Sequence, residues 1–422
     1  MWAILSRWKG GLLMQKDQPS PSRGKLDRQS WLLLAVNALF IIASALSGTF
    51  IGVYLWKASH NFAVLGLFTL LTHFCMAVTF WTAGYWVKKG HKMMCFRLGI
   101  GMSAVFYAIV LLLGINAVHY IWLLGIVQGL GTGLFWLVFN VIYFEVTDPD
   151  NRDRFNGWTG IIGAVAGMVA PWCSGLLITR MAAETGYRMV FMISFGTFVA
   201  AVVVSIWLRN RKSEGDYEWK LPVRIFQKPH TAWKTTLGAL AAQGFRESVF
   251  GVMIGLLVYI QTGSEMKLGN FTLITSAIAF LSFYAAGKWI KPIWRSRAML
   301  VGTIVMTAVI IPFFFGISYK TMLVFGIGTS LFIPLYTIPM TSAVFDLIGQ
   351  HEESAKQRVE YVVLRELALS AGRVVSMIIF IITIHFSKAP IVLNCLLLFI
   401  GCSPLVSWLM MRRNFAPKPI KE

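Results

Sequence analysis

The sequence predicts an all-α membrane protein, with twelve transmembrane helices in two six-helix bundles of like orientation, a parallel repeat. Three observations predict it. Of 422 residues, 57% are apolar or aromatic and 13% are charged, whereas soluble domains carry about 25% charged residues. A globule has too little polar surface to cover that much apolar side chain. The apolar residues also fall into twelve separate runs, and the basic residues concentrate in alternate connections between them. Soluble enzymes, disordered chains and secreted disulfide scaffolds are excluded together.

A spanning helix needs about 20 apolar residues to cross about 30 Å of hydrocarbon. The runs are 31–56, 62–87, 94–113, 121–144, 157–178 and 189–208, then 237–260, 268–287, 299–317, 322–345, 359–384 and 390–411. The chain therefore divides into a basic tail (1–30), a six-helix bundle (31–208), a linker (209–236), a second bundle (237–411) and a short tail (412–422). The first tail has six basic residues and no apolar stretch of signal-peptide length. Its Trp2, Leu5, Trp8 and Leu12 suit either a segment lying on the membrane surface or a frayed end. The five cysteines form no CxxC pair and read as small apolar residues.

A net charge of +20 raises the question of a nucleic-acid partner. Placement answers it. Of 38 Lys and Arg residues, 29 lie in the tails, alternate connections and adjoining run ends of one side, six on the other side, and three deep inside the runs. Basic residues accumulate on the cytoplasmic side of a membrane. Both tails and the linker are thus expected in the cytoplasm, and no nucleic-acid partner is implied.

The halves echo each other. Ala83-Gly84-Tyr85-Trp86-Val87-Lys88 follows the second run, and Ala286-Gly287-Lys288-Trp289-Ile290-Lys291 the eighth, at an offset of 203. Phe144-Glu145-Val146 and Phe345-Asp346-Leu347 match at 201, and Ala166-Gly167 and Ala371-Gly372 at 205. An even number of crossings separates the copies, so both halves face the same way.

At these residues the chain resembles the major facilitator superfamily. The stretch from Ala83 to Lys92 is similar to the family's loop 2–3 signature, with Val87 where an aspartate is expected. Gly125-Ile126-Val127-Gln128-Gly129-Leu130-Gly131 is similar to its fourth-helix Arg-x-x-Gln-Gly-x-Gly, without the arginine. Ala166-Gly167-Met168-Val169-Ala170-Pro171-Trp172-Cys173-Ser174-Gly175 resembles the fifth-helix antiporter signature. The style is that of efflux-like members from Gram-positive bacteria. The resemblance implies that the first, fourth, seventh and tenth helices line a central cavity. On those helices Asn37, Gln128, Trp136, Asn140 and Tyr336 are the candidate cavity residues, the alternative for the fourth-helix stripe being helix packing through Thr, Asn and small residues, and a bend is expected at Pro334 and Pro339.

Ten runs carry no charge away from their ends. The seventh holds Arg246 and Glu247, and the eleventh holds Arg365, Glu366 and Arg373. A charge at the bilayer centre costs at least about 2.5–3.5 kcal/mol, so these five must face protein or a wet cavity. Glu366 and Arg373 are seven residues apart and share a face; Gln243 and Glu247 are stacked four apart. Two readings stand. Either the charges neutralise one another between the two helices and set their register, or a glutamate loses its partner during a cycle and takes up a proton. In the second reading Glu247 and Glu366 are the coupling acids, Glu366 first, with Arg246, Arg365 and Arg373 as charge partners. The five sum to +1, which also suits an anionic solute.

Other features divide in the same way. His73 either relays protons or is a neutral histidine bonded to a neighbouring helix. The glycines at 125, 129, 131 and 133 have no preceding strand and no Gly-Lys-Ser/Thr, so they read as helix-packing residues rather than a phosphate loop. No Walker motif appears, so no nucleotide and no cofactor are implied. Asp148, Asp150 and Asp153 are interrupted by Arg152 and Arg154, which argues against a metal loop. Lys88, Glu145 with Arg152, and Asp346 with Lys291 are expected to form a cytoplasmic gate of weak, breakable ion pairs.

The expected function is not enzymatic. It is secondary transport of a small solute by alternating access, as proton-coupled efflux of an amphipathic compound by a monomer in the plasma membrane. The alternatives are uptake or exchange of a polar or anionic solute, and a transporter-like sensor or scaffold that moves nothing.

Overall fold

The computed structural model describes residues 26–147, 151–181, 183–210, 217–227, 232–349, 357–387, 389–412 and 414–415. The surface segment at Trp2–Leu12, the acids Asp148 and Asp150, and the side chain of Arg152 lie outside the described residues. Among the described residues every regular element is a helix. Ten stretches are long and apolar enough to span a membrane. One of them, Phe62–Val146, is 85 residues long and contains three helices in succession.

In chain order the helices are α1 (Arg28–Ser59), α2 (Phe62–Trp86), α3 (Lys92–Leu113), α4 (Ile121–Val146), α5 (Arg152–Arg180) and α6 (Ala183–Ser205), followed by α7 (Leu221–Gln227) in the linker. Then come α8 (Ala232–Thr262), α9 (Glu265–Trp289), α10 (Arg295–Ala308), α11 (Tyr319–Gly349), α12 (Arg358–Phe386), α13 (Pro390–Gly401) and α14 (Ser403–Met411). Chemistry sets the ends. Asp27 caps α1 by accepting the Ser30 amide at 2.7 Å, and Asn61 caps α2 by accepting the Ala63 amide at 2.9 Å. A wide turn, Val87–His91, joins α2 to α3, and Gly90 supplies its φ of 98°, a backbone conformation that a Cβ would strain.

Two runs differ from their expected form. The ninth stops at Ala308, because Pro312 denies the helix a donor; a 3₁₀ turn, Ile311–Phe315, completes it. The twelfth divides into α13 and α14 at Cys402, just before Pro404. The tenth forms one helix, α11, with Pro334 and Pro339 inside it. The linker contains α7, whose Leu221 and Ile225 are buried with Leu237, Tyr361 and Leu364.

In the first half α1 packs on α5 and α6, and α4 on α2 and α3, while α3 also meets α6. In the second half α8 packs on α12 and α14, and α11 on α9 and α10, while α10 also meets α14. Between the halves α2 lies along α12 and α5 along α9. Small residues permit these approaches. A Cβ on Gly125 would sit 2.7 Å from the Leu71 Cβ of α2, and one on Gly131 would sit 3.0 Å from the Ser103 nitrogen of α3. The tightest crossing is α8 with α12. A Cβ on Gly244 would strike the Leu369 carbonyl, and one on Gly372 would strike the Ala241 carbonyl. That crossing brings the two charge-bearing helices together.

Candidate functional site

A cavity of about 600 Å³ lies at the centre, between α1, α2, α3, α4 and α8. Its walls are chiefly apolar and aromatic: Phe40 and Ile41 from α1, Phe68 from α2, Phe106 and Tyr107 from α3, and Trp136 from α4. Phe40 is fixed by stacking on Phe135, with ring centroids 3.4 Å apart, and meets Trp136 edge-on. Few polar groups reach this space. Thr72 and Thr132 return their hydroxyls to their own helix carbonyls. His73 Nδ1, Gln128 Oε1 and Ser248 Oγ line the cavity or lie at its wall, each buried with no hydrogen-bond partner. Buried polar atoms normally find a partner, so these three hold unused hydrogen-bonding capacity beside the cavity.

Glu247 supplies the cavity's carboxylate, and its side chain is 40% exposed. Gln243 donates to its Oε1 at 2.7 Å, one helical turn away. Arg373 of α12 donates to its Oε2 at 2.9 Å and also to Glu366 Oε1 at 2.5 Å. Two carboxylates therefore share one guanidinium. Arg373 is 15% exposed and Glu366 only 10%, so Glu247 is the member that meets the cavity. Arg246 is buried, stacks on Phe250 with 4.5 Å to the ring centroid, and has no acidic partner among the described residues. Half-buried Arg365 also has no acidic partner among them.

The five expected cavity residues separate. Gln128 and Trp136 line the cavity. Asn37 does not: it is fully buried in α1, with both amide atoms unpartnered. Tyr336 is buried in the second half, where its hydroxyl donates to Ser407 at 2.9 Å. Asn140 donates to the Trp136 carbonyl at 2.7 Å and lies outside the cavity lining.

Of the expected gate pairs, Glu145 with Arg152 lies outside the described residues, and Asp346 with Lys291 is replaced. Lys92 donates to both oxygens of Glu145 at 2.6 Å, and Arg295 pairs with Asp346 at 2.7 Å in place of Lys291. Both pairs tie helices of one half together. Their members are related by the offsets 203 and 201 seen in the sequence repeat. The pairs that cross between halves are different ones. On the basic face, buried Lys88 of the turn between α2 and α3 is bonded to buried Glu360 of α12. Glu360 also accepts the Glu218 amide of the linker at 3.2 Å, and Gln357 donates to the Glu218 side chain at 2.6 Å. Neighbouring Tyr217 lies against Gly84, and burial together with the Glu360 charge pushes its phenol above the usual tyrosine range. On the opposite face, Lys57 of α1 pairs with Glu265 of α9 at 3.1 Å, and Tyr187 of α6 donates to the same oxygen at 3.1 Å. Glu265 and Glu360 were not singled out in the sequence, because charges at run ends are ordinary.

The sequence profile described as Major Facilitator Superfamily matches residues 32–355. The chain belongs to this superfamily. It is a multi-pass membrane protein of a secondary-transporter family. This superfamily member is 36% identical over 389 residues to a Bacillus subtilis (strain 168) protein named "Uncharacterized protein YqgE", covering 92% of this chain and 90% of that one. It is 38% identical over 206 residues to "Uncharacterized protein in sodM 3'region" of Geobacillus stearothermophilus, covering 49% of this chain and 92% of that one. Its fold is similar to the crystal structure of a bacterial homologue of iron transporter ferroportin in outward-facing state, with a TM-score of 0.66 and coverage of 92% and 99%. The form with soaked iron gives 0.65, with coverage of 93% and 100%. Identity to both is 14%, so this likeness concerns the fold alone. Among the described residues no group of three His, Cys, Asp or Glu side chains is placed to hold a metal ion.

Proposed function

We propose that this protein is a proton-coupled exporter of an amphipathic solute. The observation that carries the reading is Glu247, a carboxylate that reaches an aromatic-walled cavity while sharing Arg373 with Glu366. Two carboxylates on one guanidinium leave one negative charge uncompensated. A proton on Glu247 cancels it and leaves Arg373 to Glu366; loss of that proton restores a charge facing the cavity. The aromatic walls suit an apolar body, and the few unpartnered polar atoms suit its polar end. Glu247 is thus the acid that exchanges with the cavity, with Glu366 buried behind it.

In this reading the chain is a monomer with twelve crossings in two like-oriented halves (31–208 and 237–411), in a plasma membrane, with both tails cytoplasmic. The helix neighbours that recur between the halves, and the matched pairs Lys92–Glu145 and Arg295–Asp346, support the repeat. Alternating access then requires Lys88–Glu360 to break when the basic face opens and Lys57–Glu265 to break when the other opens. Reversing Lys57 to Glu or Glu265 to Lys is expected to lower transport about tenfold, since like charges at a closing seam repel. Combining both reversals should restore most of it in the same assay; a double variant as poor as the singles removes the pair from the gate.

The deciding experiment is movement of rhodamine 6G, a membrane-partitioning cationic dye, into or out of proteoliposomes under an imposed pH gradient. Glu247→Gln is expected to abolish gradient-driven movement while dye binding persists. Gradient-driven movement at the wild-type rate in that variant rejects the coupling role. A second reading, transport of an anionic solute, is favoured by the unpaired Arg246 and Arg365; it predicts movement of carboxyfluorescein in place of the dye. Binding with no movement of either probe is the signature of a sensor.

A further inference from the structure

A second large concavity opens on the outer surface of the second half, away from the central cavity. It holds about 1010 Å³ between α9, α10 and α11. Where α9 and α11 touch, the Ser282 hydroxyl donates to the Leu331 carbonyl, and the lining beside them includes Leu281, Ala285 and Leu335. From Leu281 to Trp289 is eight residues, about 12 Å along a helix, so the groove runs from the end of α9 into the hydrocarbon layer. Its rim is different in kind. Trp289 and Trp294 stand 75% and 59% exposed, and Arg297 lies beside them.

Exposed tryptophans at a helix end mark the level of lipid headgroups. The charge there is one-sided. Arg295 is neutralised by Asp346, but Lys288, Lys291 and Arg297 are exposed, with no acidic partner among the described residues. The one hydroxyl on the groove wall is already bonded, so the interior offers nothing to a polar solute. A hydrocarbon chain below an anionic head matches both parts, and basic pockets between membrane helices bind anionic headgroups. We propose that this groove is a binding site for an anionic phospholipid of the leaflet on the basic face, with an acyl chain between α9 and α11 and the phosphate at Arg297.

The test uses the full chain in phosphatidylcholine vesicles that contain an equal share of either acyl-brominated phosphatidylglycerol or acyl-brominated phosphatidylcholine. Bromine quenches tryptophan at contact. The fluorescence that a Trp289→Phe/Trp294→Phe variant lacks is expected to be quenched more by the brominated phosphatidylglycerol. Lys291→Gln/Arg297→Gln should reduce that preference roughly two- to fivefold per charge removed. Equal quenching by the two lipids in the wild-type protein overturns the proposal. A preference that survives unchanged in the Lys291/Arg297 variant also overturns it, because the anionic lipid then binds elsewhere.

Discussion

Arg373→Leu is expected to abolish gradient-driven transport and to destabilise the purified protein by about 3 kcal/mol, the lower end of the range for breaking a buried ion pair. The lower end applies because Glu247 is 40% exposed and water can replace part of its lost contact. Glu366 has no such relief: it is 10% exposed, and Arg373 is the partner its side chain is bonded to. Arg246 adjoins Glu247 in sequence but points into the second half against Phe250, so it is not positioned to substitute. Adding Glu366→Gln to Arg373→Leu should recover most of the melting temperature, because the stranded charge is then gone. Transport should stay lost, since Glu247 no longer has a guanidinium to exchange for a proton. Arg373→Leu that melts with the wild type would falsify this account of the network.

The same network shows where sequence reasoning succeeds and where it stops. Membrane helices must satisfy their backbone groups internally, so length and hydropathy alone reveal most of them. Five charges inside two apolar runs stand out for the same energetic reason. Their wiring does not, because Arg373 reaches Glu247 only through the crossing of α8 and α12, and that contact is not written in either segment alone. Helix faces are also hard to read where every side is apolar. A soluble helix announces its buried stripe by contrast with polar residues, but α1 and α11 offer little contrast. Asn37 and Tyr336 were therefore expected at the cavity and are buried elsewhere. At the gate, Lys291 and Arg295 are four residues apart on one connection, and only the three-dimensional turn between α9 and α10 selects Arg295 for Asp346. Glu265 and Glu360 stand at run ends, where a charge carries no signal until the opposite half is seen beside it.

The crossing itself yields the second large effect. Gly372→Ala is expected to cost at least about 1–3 kcal/mol, the usual penalty for overpacking, and Gly372→Leu to prevent recovery of folded protein. A Cβ at Gly372 would meet the Ala241 carbonyl and lie 2.8 Å from the Phe245 nitrogen, and a Cβ at Gly244 would meet the Leu369 carbonyl. These neighbours are backbone, so no side chain can rotate away, and the helices must separate. Gly196→Ala is the matched control: nothing lies within 4 Å of a Cβ there, and alanine favours a helix over glycine by up to about 1 kcal/mol. Melting temperature and the monodisperse fraction on size exclusion distinguish the two variants; equal melting of Gly372→Ala and Gly196→Ala would remove the crossing as a stabilising contact. Any separation at Gly372 also moves its neighbour Arg373 away from Glu247. Whatever Gly372→Ala protein does fold should therefore bind dye and fail to couple its movement to the pH gradient.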